Sequence, residues 1–407
     1  MKKCAAVTIC SINYIAKALV LFDSYKRYHP NHEFYLVIVD KKLNDFYIDR
    51  NHIKIIWAED LGLPNFLQYA FTYDVIEFNT NVKPVALELI LQSNDFVVYL
   101  DPDINIYSPL TLVFEELEEA SFVVTPHSNT PILDGKKPDD LELLKFGAFN
   151  LGFIGISKCD ESFSFLKWWS QRCLEYGFYE PQLGLAVDQK WVSLAPCYFP
   201  SMKILHDDGL NVAFWNLHER ILECVHGRWI VNGKTPLIFV HFSSFDENFP
   251  NNIAKKQNRF SQNSRPDFSS LARPYAANLL SNSSEFFSSS PYTFDYFDDG
   301  TFITPALRRF YGQLKLDIFK DVENPFCSHG PVICFAKKYG LLSKNNRSVR
   351  RHNFHDLNSY KWQIKLINRF LFALLYILGP ERYFNLMRYL SHISSLRHQV
   401  DIFGNLK

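Results

Sequence analysis

Two carboxylates one residue apart, Asp101 and Asp103, close the run Val97-Val98-Tyr99-Leu100-Asp101-Pro102-Asp103-Ile104. The apolar residues before them read as a strand buried on both faces. Alternation along a strand puts residues two apart on one face, so both carboxylates are expected to converge on one hard cation, Mg2+ or Mn2+. An Asp-x-Asp at a strand end also suits a plain turn. Other polar residues follow apolar runs in the same way: Ser11 and Asn13 follow the first run and Asp40 follows the second.

The elements that must position these groups alternate over the first 125 residues. Strands are expected at 5–10, 34–39, 53–57, 96–100 and 122–125, with helices at 14–28 and 82–92. That alternation implies an α/β layered domain with a mainly parallel sheet, whose ligands bind beyond the carboxyl ends of the strands. The middle, 147–245, mixes short strands with a helix at 163–176 and reads as the second half of the same domain. Ser, Asn and Pro crowd 251–290, which suggests surface loops, and helices dominate from about residue 305. The expected division is a catalytic domain over 1–250, a loop-rich extension over 251–320 and a basic helical region over 321–407.

At 407 residues, 47% hydrophobic and 21% charged, the chain has an ordinary globular balance. Its 37 Phe, 21 Tyr and 7 Trp suit sugar-stacking platforms, but a Phe-rich core accounts for them more simply. Formal net charge is zero, yet residues 331–407 hold 13 Lys plus Arg against 3 Asp plus Glu, a net of +10. Such asymmetry points to an anionic partner for the tail, a membrane surface or a polyanion. Within the tail, 361–378 reads as a basic amphipathic helix lying in a membrane interface, because its apolar stretch is about half the length a span needs. A helix packed on its own domain fits the same pattern. No nucleic-acid motif accompanies these basic residues, so nucleic acid is not an expected partner. The eight cysteines lack C-x-x-C or zinc spacing, and Met1-Lys2-Lys3 leads directly into a strand. Free thiols and a cytoplasmic setting, peripheral to the inner face of a membrane, are therefore expected.

Further segments combine with the Asp-x-Asp. They are Asn13-Tyr14, Val82-Lys83-Pro84, Phe149-Asn150-Leu151-Gly152-Phe153, Val187-Asp188-Gln189-Lys190-Trp191, the run from Gly209 to Leu217, and Val240-His241-Phe242-Ser243. In order and spacing, over roughly residues 5–310, they resemble bacterial GT-A glycosyltransferases related to the glycogenin/galactosyltransferase-like (family 8) group. The resemblance implies a Rossmann-like mixed sheet flanked by helices, here with a helical C-terminal extension. It also implies a nucleoside-diphosphate-sugar donor, a UDP- or GDP-sugar, and a glycan, lipid-linked or protein acceptor. Retention of anomeric configuration is implied as well.

Carried over residue by residue, Thr8, Ser11 and Asn13 would lie near the nucleotide, and Asp40 would contact base or ribose. Lys83 would reach the donor sugar or phosphate, and Asp101, Asp103 and His241 would bind the metal. Asn150 and Gly152 would line the donor sugar, with the small residue permitting its close approach. Asp188 and Gln189 would sit beside the reaction centre. The family's usual ending, a His followed by a Gly and then Lys-Pro-Trp, is absent after His241, so its phosphate-gripping lysine has no counterpart.

Plainer roles fit several of these residues. Asp40 could cap a turn, His241 could be a satisfied sheet histidine, and Asp188 suits a helix N-cap. The stretch from Asn211 to Asn216 could be a structural turn with Trp215 in the core, and His218, Glu219 and Arg220 a solvated face. Two other functions compete with sugar transfer. Haloacid-dehalogenase-type phosphatases also place Asp-x-Asp after a hydrophobic strand, with the first Asp as nucleophile, but usually near the start of the fold and continuing to Thr or Val where this chain has Asn105. A non-catalytic GT-A-like module binding glycan or membrane is the other.

Overall fold

The computed structural model describes residues 2–283, 285–343 and 361–404, so the basic segments 344–360 and 405–407 lie outside the described residues. Strands β1 (Cys4–Cys10), β2 (Glu33–Ile38) and β3 (Ile53–Trp57) run parallel, and β4 (Phe96–Leu100) runs parallel to β1 on its other side. A turn later, β5 (Ile104–Ile106) leaves this sheet. Next come β6 (Phe122–Pro126) and β7 (Phe149–Ser157), then a ribbon of β8 (Tyr179–Glu180) with β9 (Leu185–Ala186), and then β10 (Met202–Ile204). The main sheet has seven strands in the order β10-β6-β7-β4-β1-β2-β3. Because β7 is antiparallel to both β4 and β6, the sheet is mixed. A small antiparallel sheet holds β11 (Leu222–Val225), β12 (Arg228–Val231) and β13 (Thr235–Pro236), and β14 (Phe239–His241) pairs with β5.

The apolar runs explain this order. Every residue of β4 and β7 is buried, as expected for strands covered on both faces. The edge strands β3 and β10 instead carry exposed Lys54 and Lys203, which discourage pairing with another chain. The helix Ile15–Tyr28 packs Ala18, Leu21, Phe22 and Tyr25 inward at helical spacing, carries Lys26 and Arg27 in its last turn, and stops before Pro30. The α/β architecture expected from the sequence is therefore present, with a helical C-terminal region.

By compactness the chain forms two units, Met1–Pro64 with Val75–Thr293, and Asn65–Asp74 with Phe294–Lys407. Composition had suggested breaks near 250 and 320. The difference in the first unit comes from 251–290, which is not all loop. A 17-residue helix, Pro266–Asn282, buries Phe268, Leu271, Ala272, Tyr275, Ala276 and Leu279. Its three-to-four spacing is apolar enough to form a core face, while Ser and Asn fill much of the remaining surface. In the second unit, Arg308 explains why 65–74 groups with the later chain. Its buried guanidinium donates to the carbonyls of Ala70, Phe71 and Tyr73 at 2.8–3.0 Å, and to Phe294 O and Asp295 Oδ1. The helix that carries it, Pro305–Leu314, begins with Thr304 Oγ1 accepting the Leu307 N–H at 3.2 Å.

The helix Lys361–His392 has no buried residue and breaks at Gly379 (φ 75°, ψ 166°), just before Pro380. It is not amphipathic as expected. Residues 370–378 are apolar around the whole circumference, and the basic side chains sit to either side. All eight cysteines are free thiols.

Candidate metal centre

Asp101 and Asp103 converge, but not through strand alternation. β4 ends at Leu100, and Asp101–Ile104 forms a turn in which the Ile104 N–H returns to Asp101 O at 3.0 Å, with Pro102 at the second position. Two ladders then fix the carboxylates. The Asp101 N–H donates to Gly152 O at 2.7 Å, continuing the β4–β7 pairing. β5 pairs with β14 so that His241 stands opposite Ile104, and the Phe242 N–H donates to Asp103 O at 2.9 Å. His241 Nε2 lies 3.0 Å from Asp103 Oδ1 and 3.6 Å from Asp101 Oδ2. One ligand atom from each of the three residues lies within 4.8 Å of the others.

The imidazole is held by its other nitrogen. His241 Nδ1 lies 3.2 Å from Asn150 Oδ1 and 3.3 Å from Asn211 Oδ1, both acceptors, so Nδ1 carries a proton and Nε2 is the nitrogen that faces the carboxylates. Trp215 seats the ring edge-on, with centroids 5.2 Å apart at 90°. The amides are fixed in turn. Asn211 Nδ2 donates to Thr125 Oγ1 (2.9 Å) and Asn150 Oδ1 (3.1 Å), and Asn216 Nδ2 donates to Asn211 O (3.0 Å). Asn211 holds φ 52°, a left-handed conformation that asparagine tolerates better than most residues. A lone pair and two carboxylates facing one another repel unless a cation or proton lies between them, and two oxygens with one imidazole nitrogen suit Mn2+ or Mg2+. Burial opposes both charges here. Even so, His241 holds the Asp103 carboxyl down to about 2, and the Asp103 and Asp101 carboxylates raise the His241 imidazole above its ordinary value.

Gly152 serves this cluster directly. A Cβ there would stand 2.3 Å from His241 Cε1 and 2.8 Å from Asp101 Oδ2, so any side chain would displace the ligands. The family resemblance implies a small residue here for close approach of a donor sugar, and His241 and Asp101 already require one.

Behind the cluster lies a closed ion pair. Lys83 Nζ donates to Asp188 Oδ2 at 2.6 Å and Leu151 O at 2.7 Å, and stands 4.2 Å over the Tyr99 ring. Both side chains are buried, at 2% and 3% exposure. Lys83 was expected to reach the donor sugar or phosphate, and its ammonium is engaged inside the protein. Burial pushes the Asp188 carboxyl up, and Lys83 opposes that shift. Asp188 occupies a helix N-cap position without making a capping bond, and its carbonyl accepts the Trp169 indole N–H at 2.9 Å. Val187 before it is a β-branched residue at φ 46°, a strained backbone position held by its N–H on Phe178 O. Gln189 is tied to β7, with Oε1 accepting the Leu151 N–H at 3.0 Å, while Nε2 donates to Phe146 O at 2.9 Å. Tyr99 joins the pair to the cluster by donating its O–H to Asp101 Oδ1 at 2.5 Å.

The remaining expected residues follow β1 and β2. Ser11 Oγ donates to Asn13 Oδ1 at 2.6 Å, and Asn13 is exposed just past the end of β1. Thr8 is buried within β1, and its hydroxyl has no hydrogen-bond partner. Asp40, expected at base or ribose, is instead a buried clamp. Oδ2 accepts the Ile12 N–H at 2.8 Å, and Oδ1 accepts the N–H and hydroxyl of Thr293 at 2.8 and 2.7 Å. His218, Glu219 and Arg220 do not form the solvated face expected. Arg220 is 2% exposed and donates to Leu210 O, with burial pulling its guanidinium down to about 10, while Glu219 accepts the Asn129 N–H and the Thr130 hydroxyl. Sequence reasoning gave no role to Tyr99 or to the side chain of Asn211; both stand within the motif segments, but their roles depend on the distant partners Lys83 and His241.

No protein-family model matches the chain. It is 26% identical over 247 residues to the uncharacterized protein YfnF of Bacillus subtilis (strain 168), covering 59% of this chain and 81% of that protein. Protein YfnD of the same strain is 25% identical over 245 residues, covering 58% and 76%. Among solved structures, the galactosyltransferase LgtC in complex with donor and acceptor sugar analogues superposes at a TM-score of 0.41 with 15% identity, over 69% of this chain and 96% of that one. A glycosyltransferase involved in glycosylation of the PBCV-1 major capsid gives 0.35 with 13% identity, over 66% and 99%. Mouse xyloside xylosyltransferase 1 gives 0.36 with 13%, over 59% and 98%. These are partial superpositions, and the activity has to be argued from the chemistry of the site's own residues.

Proposed function

We propose that this chain is a divalent-cation-dependent glycosyltransferase of the GT-A type. It would move a sugar from a nucleoside-diphosphate-sugar, a UDP- or GDP-sugar, to a glycan, lipid-linked glycan or protein acceptor. The observation that carries the proposal is the Asp101–Asp103–His241 cluster at the carboxyl edge of the parallel strands, with the imidazole Nε2 turned toward two carboxylates. A divalent cation held there supplies charge neutralisation for a departing diphosphate.

The other residues prepare that site. Asn150 and Asn211 fix the tautomer of His241, and Gly152 leaves the space between His241 and Asp101 open. Ser11 and Asn13 lie at the carboxyl end of β1, next to β4 in the sheet, where a nucleotide would meet a hydroxyl and an exposed amide. Lys83 and Asp188 act as a positioning pair, bracing Tyr99 under Asp101. The test is a thermal-shift panel of UDP, GDP, CDP and dTDP with and without Mn2+, on wild type and Asp103→Ala. A Mn2+-dependent rise with one diphosphate, absent in the variant, is the expected result. No rise with any of them overturns the reading, and a trapped aspartyl-phosphate on Asp101 would replace it with phosphohydrolysis.

A further inference from the structure

We propose that the helix Lys361–His392 is a one-sided anchor that lies in one leaflet of an anionic bilayer, with the apolar run 370–378 immersed and the basic flanks at the headgroups. Among the described residues nothing covers it. No residue of the helix is buried, and Phe372, Tyr376 and Ile377 are 70%, 85% and 74% exposed. A helix apolar around its whole circumference needs an apolar environment on every side, which water does not provide.

Charge selects the occupant. Lys361, Lys365 and Arg369 fall at i, i+4 and i+8 on one face of the first turns, Arg382 and Arg388 follow the break, and Glu381 is the one acid in the helix. Two copies packed through this element would bring those like charges together, whereas anionic headgroups neutralise them. Trp362 near one end and Tyr383 and Tyr389 near the other are the side chains that favour the headgroup level.

Length and the break then select the topology. The uncharged run 370–380 reaches about 16 Å at the rise of an α-helix, roughly half the thickness of a hydrocarbon core. Gly379 takes a left-handed φ open to glycine at little cost, and Pro380 cannot donate to the preceding turn, so the chain bends where the apolar run ends. Both flanks are basic, and basic flanks stay on the same side of a membrane. The element therefore lies within one leaflet, and the bend at Gly379-Pro380 leads the second basic flank, from Glu381 onward, back along the headgroups.

The test uses the full chain and flotation with phosphatidylcholine vesicles, with and without 30% phosphatidylglycerol (a vesicle composition chosen at roughly the anionic content of a charged leaflet). Binding is expected to be about tenfold or more stronger with the anionic lipid. Phe372→Asp with Ile377→Asp should abolish it without changing the melting temperature. If that variant misfolds, Lys365→Glu with Arg369→Glu carries the test and should remove the preference for anionic vesicles. Separate Gln363→Cys and Leu390→Cys variants, treated with an impermeant maleimide outside the vesicles and read by peptide mass spectrometry, should both be labelled. Three results would overturn the proposal: no flotation, protection of one flank as in a spanning helix, or a lipid-independent dimer abolished by the same aspartates. All of these readouts are independent of nucleotide or metal binding, so the catalytic proposal can fail without affecting this one.

Discussion

Lys83–Asp188 and Asp101–Asp103–His241 both bury charge near the carboxyl end of β4, and Tyr99 touches both, with its ring beneath Lys83 and its hydroxyl on Asp101. They differ in completeness. The first pair is 2–3% exposed, and the Lys83 ammonium meets a carboxylate, a carbonyl and a ring face. In the second, Asp101 and Asp103 keep 29% and 18% of their side-chain surface, and three ligand atoms face one another. A saturated buried pair positions its neighbours, while an unsaturated and partly open cluster has capacity left for a ligand. The two groups are equally polar in composition, and hydrogen-bond completeness is what assigns their roles.

Breaking the saturated pair should have the largest effect. Lys83→Met leaves Asp188 buried without a countercharge and is expected to cost about 3–5 kcal/mol in urea unfolding, much of it recovered in Lys83→Met/Asp188→Leu. A loss below about 1 kcal/mol would mean that Lys83 is free to serve a ligand instead. The open cluster should respond in cation affinity as well as stability, because Asn211 is itself buried at a left-handed φ and bonded to Thr125 and Asn150. Asn211→Ala removes an acceptor from His241 Nδ1 and is expected to weaken Mn2+ binding about 10–100-fold in calorimetry. Unchanged affinity would show that Asn150 alone sets the tautomer.

The smallest effect concerns a histidine remote from both groups. His29 Nε2 accepts the Leu110 N–H at 3.0 Å, and burial, with help from His32 and Lys26, pulls its imidazole down to about 4. Because the folded-state value lies below the unfolded one, the unfolded chain takes the proton first. Stability should therefore fall as pH drops from about 6.5 to about 4, by about 1–2 kcal/mol after allowing for partial solvent contact. His29→Gln should flatten that part of the stability profile.

Strands β3 and β4 were legible to the residue, because five-residue runs rich in β-branched and aromatic residues, Ile53–Trp57 with Lys54 at its exposed second position and Phe96–Leu100, are too short for a helix and favour strand. Asp101 and Asp103 were legible as an Asp-x-Asp and His241 only through the family resemblance; the structure brings the three together through a turn and a second strand pair rather than through alternation. Asp40 and Lys83 were read as open groups because a sequence shows a charge but not its partner, and those partners stand 253 and 105 positions away. Helix Pro266–Asn282 was missed because its Ser, Asn and Pro content resembles loop composition, while its inward spacing is apparent only once the face is known.

Asp101, Asp103 and His241 are proposed to form a cation site completed by a nucleoside diphosphate. Titration of Mn2+ into the protein, followed by the electron paramagnetic resonance of the free ion, tests it most directly. One site per chain is expected, tightened by a single nucleoside diphosphate and lost in Asp103→Ala while the melting temperature is kept. Mn2+ binding that survives Asp103→Ala, or no binding with or without nucleotide, would contradict it.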